Sequence, residues 1–193
     1  GEIVILATGP LTNVALLLSV YLEDRELIRE IVIMGGAVYY GNHTPRTEFN
    51  IYTDAEAAKI VFQSGIPIKM IGTDVTYRTP VTRKDLDCLL SDGKRVSKFI
   101  GDLMFYPGDG ERPFPEEGIY IWDGLAAAAL ICPECMEWKH VYVDVETKGE
   151  LTYGETVADM DHYLKQPPNV HIAFGCDKEK FLGIIQKTIS AID

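Results

Sequence analysis

The chain has 193 residues, 47% of them apolar and 24% charged, which suits one globular domain with a sizeable core. Its formal charge of −11 argues against a nucleic-acid polymer as partner, since phosphate recognition needs a basic surface, and is compatible with small ligands or with carboxylates gathered around a hard cation. No apolar run reaches the roughly 18 residues that cross a bilayer, and the opening Gly1-Glu2-Ile3-Val4-Ile5-Leu6 reads as a strand rather than a signal peptide.

Residues 3–7 form a short apolar run that reads as a buried strand. Thr8-Gly9-Pro10 then suits a tight turn into a helix over residues 11–20, apolar nearly all round and therefore expected to be well buried. A short helix over 24–30 is expected to start at the capping residue Asp24, followed by a strand over 31–34 that ends on Gly35-Gly36. Residues 37–52 carry few helix signals and read as a loop. Thr53-x-x-Glu56 predicts a capping box for a helix over 55–63, and 66–71 is a third strand. This alternation predicts an α/β fold, a parallel-rich sheet with helices on both faces.

Residues 82–106 are mostly helical in pattern, with a break at Asp92-Gly93. The stretch 107–118, rich in Pro, Gly and charge, is the candidate for a mobile lid or a disordered loop. A helix from Trp122-Asp123 through Leu130 follows, then β-like segments at 141–146, 151–157 and 170–174, and a closing helix over 177–192. With no repeat and no linker, residues 1–193 read as a single domain.

The four cysteines, at 88, 132, 135 and 176, do not form a disulfide framework. The lone Cys132-Pro-Glu-Cys135 reads as two thiols at a helix end. Free thiols place the chain in a reducing compartment, the cytoplasm.

In a parallel α/β sheet, ligands bind beyond the carboxyl ends of the strands, where Thr8, residues 34–42 and Thr73-Asp74 fall. The densest polar cluster is residues 41–50, with Asn42, Glu48 and Asn50 beside Phe49. It can be read as a set of hydroxyl-binding groups for a sugar, with Phe49 or Met34 covering an apolar ring face, or as a solvated loop capping the next helix. Asp123 can likewise be a metal ligand or hydroxyl acceptor beside the platform of Trp122, or a plain capping aspartate. The histidines are scattered, and only His43 lies in the suspected site.

Leu6-Ala7-Thr8-Gly9-Pro10-Leu11-Thr12-Asn13, Ile33-Met34-Gly35-Gly36, Glu48-Phe49-Asn50-Ile51-Tyr52-Thr53-Asp54-Ala55-Glu56, Gly72-Thr73-Asp74-Val75-Thr76 and Trp122-Asp123 occur in one order. In these motifs the chain closely resembles the inosine/uridine-preferring nucleoside hydrolases. The resemblance implies a Rossmann-like fold and a Ca2+-dependent hydrolase that splits the N-glycosidic bond of a ribonucleoside into base and ribose. It assigns the Thr8 backbone carbonyl and Asp123 to calcium. Asn42, Glu48, Asn50 and Asp123 fall to the ribose, with Met34 and Phe49 as apolar contacts.

Trp122 stands where many members have a histidine. In this it resembles the purine-preferring branch, in which a tryptophan stacks on the leaving base. The family's Asp-x-Asp-x-x-x-Asp-Asp cluster, which supplies most calcium ligands and the catalytic base, does not occur in the chain. Residues 1–193 therefore correspond to a C-terminal portion, inactive alone and expected to work as a homo-oligomer or with an N-terminal segment completing the fold. Two other functions stay open: a non-catalytic ribose- or nucleoside-binding lobe, and a generic α/β ligand-binding domain.

Overall fold

The computed structural model describes residues 1–104 and 114–192. A six-stranded sheet, in the order β1-β2-β3-β6-β4-β5, forms its centre. The first four of these, β1 (Ile3–Ala7), β2 (Ile28–Met34), β3 (Ile68–Ile71) and β6 (Val170–Cys176), run parallel. β4 (Met136–Val145) lies antiparallel between β6 and β5 (Thr156–Asp159).

Alternation along the central strands divides the core into two layers. Ile31 and Ile33 of β2 pack on one face with α1 (Thr12–Val20) and α3 (Ala55–Phe62). Val32 and Met34 pack on the other with α7 (Trp122–Ile131) and Phe181 of α8 (Lys178–Ala191). Both layers bury their strand residues almost completely, so Ile31, Val32 and Ile33 read as one apolar run. Each contributes about 1.5–3 kcal/mol of burial.

The carboxyl end of the sheet carries two short helices absent from the sequence reading: α2 (Phe49–Thr53), inside the expected loop, and α4 (Thr73–Thr76) directly after β3. The capping box at Thr53 is not formed. Asp54 caps α3 instead, its Oδ1 accepting from Ala57 N at 3.0 Å, and its other oxygen takes the Thr12 hydroxyl from the start of α1. The expected helix over 24–30 is a 3-10 turn over Leu22–Leu27, and β2 starts at Ile28. The break at Asp92-Gly93 separates α5 (Arg83–Leu89) from α6 (Arg95–Met104). Most of the suspected lid lies outside the described residues.

Two expectations fail at the edge of the sheet. β1 is an edge strand, with Ile3 and Leu6 exposed, and α1 buries only one stripe, leaving Leu16 and Val20 in solvent. Apolar composition all round a helix did not mean burial all round, because α1 has the sheet on one side only. The thiol reading is also corrected: Cys132 and Cys135 form a disulfide at the C-terminal end of α7, and Cys88 and Cys176 are free. Among the described residues, no helix is long and apolar enough to cross a membrane.

Candidate active site

β2 ends at Met34 and hands the chain to Gly35-Gly36. Gly36 has φ +89°, and a Cβ there would lie 2.6 Å from the Met70 sulfur, so glycine is needed on both counts. The following loop is held from three directions. Thr156 on β5 brackets Ala37, accepting from its N–H at 2.9 Å and donating to its carbonyl at 2.7 Å. Buried Asp74, at the start of α4, accepts from Val38 N at 2.7 Å and Tyr39 N at 3.0 Å. The Thr73 hydroxyl donates to the Tyr40 carbonyl at 2.5 Å.

Glu48 anchors the far end of that loop and is 2% exposed. Its Oε2 accepts from Gly36 N (3.2 Å), Asn50 N (2.9 Å) and Ile51 N (3.1 Å), so one oxygen caps α2 and fastens it to the exit of β2. Burial pushes the Glu48 carboxyl above its ordinary value, opposed by these backbone bonds and one from the Asn42 side chain. Asn42 Oδ1 accepts from Phe49 N at 2.9 Å. Asn50 Nδ2 donates to the Met34 carbonyl at 2.9 Å and approaches its sulfur at 3.3 Å. Met34, Asn42, Glu48, Phe49 and Asn50 are thus one connected cluster. Phe49 is 52% exposed and, with Tyr52, flanks the His43 ring.

The second part of the site rises from a different stretch of chain. Val81 and Ile119 exchange both backbone hydrogen bonds, 2.8 and 2.9 Å, in an isolated antiparallel bridge. Gly118 makes that approach possible, since a Cβ there would sit 2.6 Å from the Val81 carbonyl oxygen at φ +101°. The bridge brings Tyr77, at the end of α4, beside Tyr120 and Trp122. Trp122 packs against the core layer that holds Met34 and Val75. Asp123 follows on the exposed side of the first turn of α7. It does not cap the helix: Ile121 occupies that position, with no side-chain cap, so the capping reading of Asp123 fails. Desolvation holds its carboxyl above the ordinary value.

The two parts are joined through α4: Thr73 and Asp74 at its start hold the loop, and Tyr77 at its end meets Tyr120 and Trp122. Burial, Tyr120 and the charge of Glu48, in that order, raise the Tyr77 hydroxyl above its usual pKa. Thr8, just past β1, stands outside the hydrogen-bonded cluster. Sequence reasoning missed Asp74 as the loop's anchor, Thr156 as its clamp, and the rings of Tyr77 and Tyr120. The only signal for the rings was the alternation of Tyr120 and Trp122 before a helix.

Calcium takes six to eight oxygen ligands. Among the described residues, no group of three or more His, Cys, Asp or Glu side chains could hold a metal ion. The Thr8 carbonyl and the Asp123 carboxylate are too few to form a calcium cage, so these residues alone do not fit the ion.

The family model for inosine-uridine preferring nucleoside hydrolases matches residues 1–183. A pyrimidine-specific ribonucleoside hydrolase RihA from Shewanella oneidensis is 38% identical over 193 residues, covering 98% of this chain and 60% of its own length. Among solved structures, the purine-preferring ribonucleoside hydrolase from Gardnerella vaginalis superposes with a TM-score of 0.83 at 32% identity, over 97% of this chain and 60% of that one. The plant nucleoside hydrolase PpNRh1 gives 0.85 at 29% identity, over 98% and 62%. The chain thus spans about 60% of the length of the curated relatives it matches. With its matched residues, its sheet and the order of its site segments all in agreement, it belongs to the inosine-uridine preferring nucleoside hydrolase family.

Proposed function

We propose that this chain supplies the ribose- and base-binding part of a purine ribonucleoside hydrolase. The observation that supports the reading is that α4 joins a buried acid–amide cluster suited to sugar hydroxyls, whose loop Thr73 and Asp74 hold, to an aromatic group suited to a base, which Tyr77 meets at Trp122. Glu48 commits Oε2 to backbone donors, Asn42 holds Phe49 N and Asn50 Nδ2 holds the Met34 carbonyl, which leaves lone pairs on the other Glu48 oxygen and on Asn50 Oδ1 for ribose hydroxyls. Met34 and Phe49 cover the apolar side of the sugar. Trp122 stacks on the base, and Asp123, held in a partly desolvated place, accepts from a ribose hydroxyl.

Hydrolysis of an N-glycosidic bond develops positive charge on the ribose ring, as in glycoside hydrolysis. A preorganised cluster of carboxylate and amide oxygens stabilises such charge without reorganising. Stacking on an electron-rich indole favours the more protonated, better-leaving form of a purine. Thr8 and Asp123 would be this chain's share of the ligands of a Ca2+ ion, which would supply an activated, oriented water only if further ligands and a base to deprotonate it were added. Hydrolysis by these 193 residues alone is therefore not expected.

The purine reading rests on Trp122 and accords with the name of the Gardnerella structure, whereas the Shewanella relative is named pyrimidine-specific. Exposed Leu16, Val20, Tyr21, Leu22 and Leu27 beside β1 support a partner surface for a second copy or an N-terminal segment. Cytoplasmic placement accords with free Cys88 and Cys176, though not with the disulfide. The absence of the aspartate cluster also favours a second reading, a non-catalytic nucleoside-binding lobe. Calorimetry with inosine and uridine, with and without Ca2+, together with a base-release assay, tests these readings. Inosine binding without turnover is expected. Preferential uridine binding refutes the purine assignment, and binding of neither nucleoside removes the whole proposal.

A further inference from the structure

We propose that Tyr77 and Tyr120 are positioning residues for base selectivity, clamping the Trp122 indole so that it presents a fixed face to a two-ring base. The inference rests on the nucleoside reading above and adds two residues to it. Beyond its packing on the core layer of Met34 and Val75, Trp122 is held by two tyrosine rings, and the three rings pack on one another. Tyr77 meets Trp122 edge-on, with centroids 5.4 Å apart and planes at 77°, and meets Tyr120 in the same way at 5.2 Å. Tyr120 closes the triangle at 5.5 Å from Trp122, tilted by 56°. These separations lie in the range where ring quadrupoles favour edge contacts over face-to-face stacking.

The triangle is built from two chain segments and locked by backbone. Tyr77 N donates to Thr73 O at 2.9 Å at the end of α4, while the Val81–Ile119 bridge sets the height of Tyr120 and Trp122 against it. All three rings are partly, not fully, buried, so they form a wall rather than core filling. Stacking on a fixed indole grows with the area of the base, and a purine offers two rings where a pyrimidine offers one. A free indole must first be ordered, which costs side-chain entropy and blunts that difference. Tyr77 ends the same helix, α4, whose Asp74 holds the Val38 and Tyr39 amides, so the clamp ties the orientation of the base wall to the loop on the sugar side.

The test uses the full 193-residue chain with Trp138→Phe, which leaves Trp122 as the only indole of the two in the sequence. The dissociation constants of inosine and uridine are read from quenching of Trp122 emission, and indole mobility from acrylamide quenching and near-UV circular dichroism. Tyr77→Leu with Tyr120→Leu is expected to lower the inosine-to-uridine affinity ratio by about tenfold and to make Trp122 more mobile. Tyr77→Phe with Tyr120→Phe keeps the rings and should retain both properties. Far-UV circular dichroism identifies any variant that fails to fold, and Tyr77→Leu alone then serves as the milder probe. An unchanged ratio in folded leucine variants overturns the clamp while leaving nucleoside binding intact. So does loss in the phenylalanine pair equal to that in the leucine pair. A parent chain that binds neither nucleoside overturns the nucleoside reading first, and the selectivity role with it.

Discussion

The two halves of the candidate site are held by different forces. Around Glu48, many polar atoms are committed: backbone N–H groups from the loop after β2 and from α2 converge on the buried carboxylates of Glu48 and Asp74. Around Trp122, rings lean on rings and Asp123 faces outward. The first arrangement makes the sugar side part of the folding problem, because each buried donor there needs its acceptor. The second would leave the proposed base side free to change at small cost in stability.

The contrast can be broken most directly at Glu48. Glu48→Ala strands three backbone donors and should destabilise the fold by about 3 kcal/mol or more, read from denaturant unfolding. A loss within 0.5 kcal/mol, roughly the scale of a surface change, would show that the cluster is not structural. Thr156→Val removes both bonds to Ala37 and should cost about 2 kcal/mol.

The pH dependence sharpens the same point. The folded pKa of Glu48 is raised, so the unfolded chain ionises first and this group's contribution to stability falls as pH rises through and above the ordinary glutamate range. Comparing the parent with Glu48→Gln isolates that slope. Asp85 has the opposite sign. Although burial opposes it, bonds from Lys178 and Thr82 lower its pKa to about 2, so its contribution is present above the unfolded value near 3.8 and disappears as pH falls towards 2. Asp85→Asn should flatten that acid limb without changing nucleoside binding. The smallest stability effect is expected at Asp123. Asp123→Asn should stay within about 0.5 kcal/mol of the parent in unfolding while weakening inosine binding at least tenfold, shown by titration of both proteins.

This division also explains what the sequence made legible. Apolar runs predicted all three early strands, because a buried parallel strand has little choice of composition, and Asp92-Gly93 marked the break between α5 and α6. Exposure was harder to read: β1 and α1 are as apolar as the core, yet half open, since composition does not say what covers a surface. Inside the site, residues 41–50 read only as a polar loop until the motif order assigned roles to them. The short helix α2 was invisible because its cap is a glutamate, an uncommon capping residue. Tyr77 and Tyr120 lie far apart in sequence, and the bridge from Val81 to Ile119 brings them together.

The central claim, that this chain binds a purine nucleoside between the Glu48 cluster and Trp122, is tested most directly by titrating inosine and uridine into the 193-residue protein by calorimetry. Inosine is expected to bind at least tenfold more tightly than uridine, and Asp123→Asn to weaken that binding in a protein of unchanged stability. Equal or tighter binding of uridine, or inosine binding indifferent to Asp123, would contradict it.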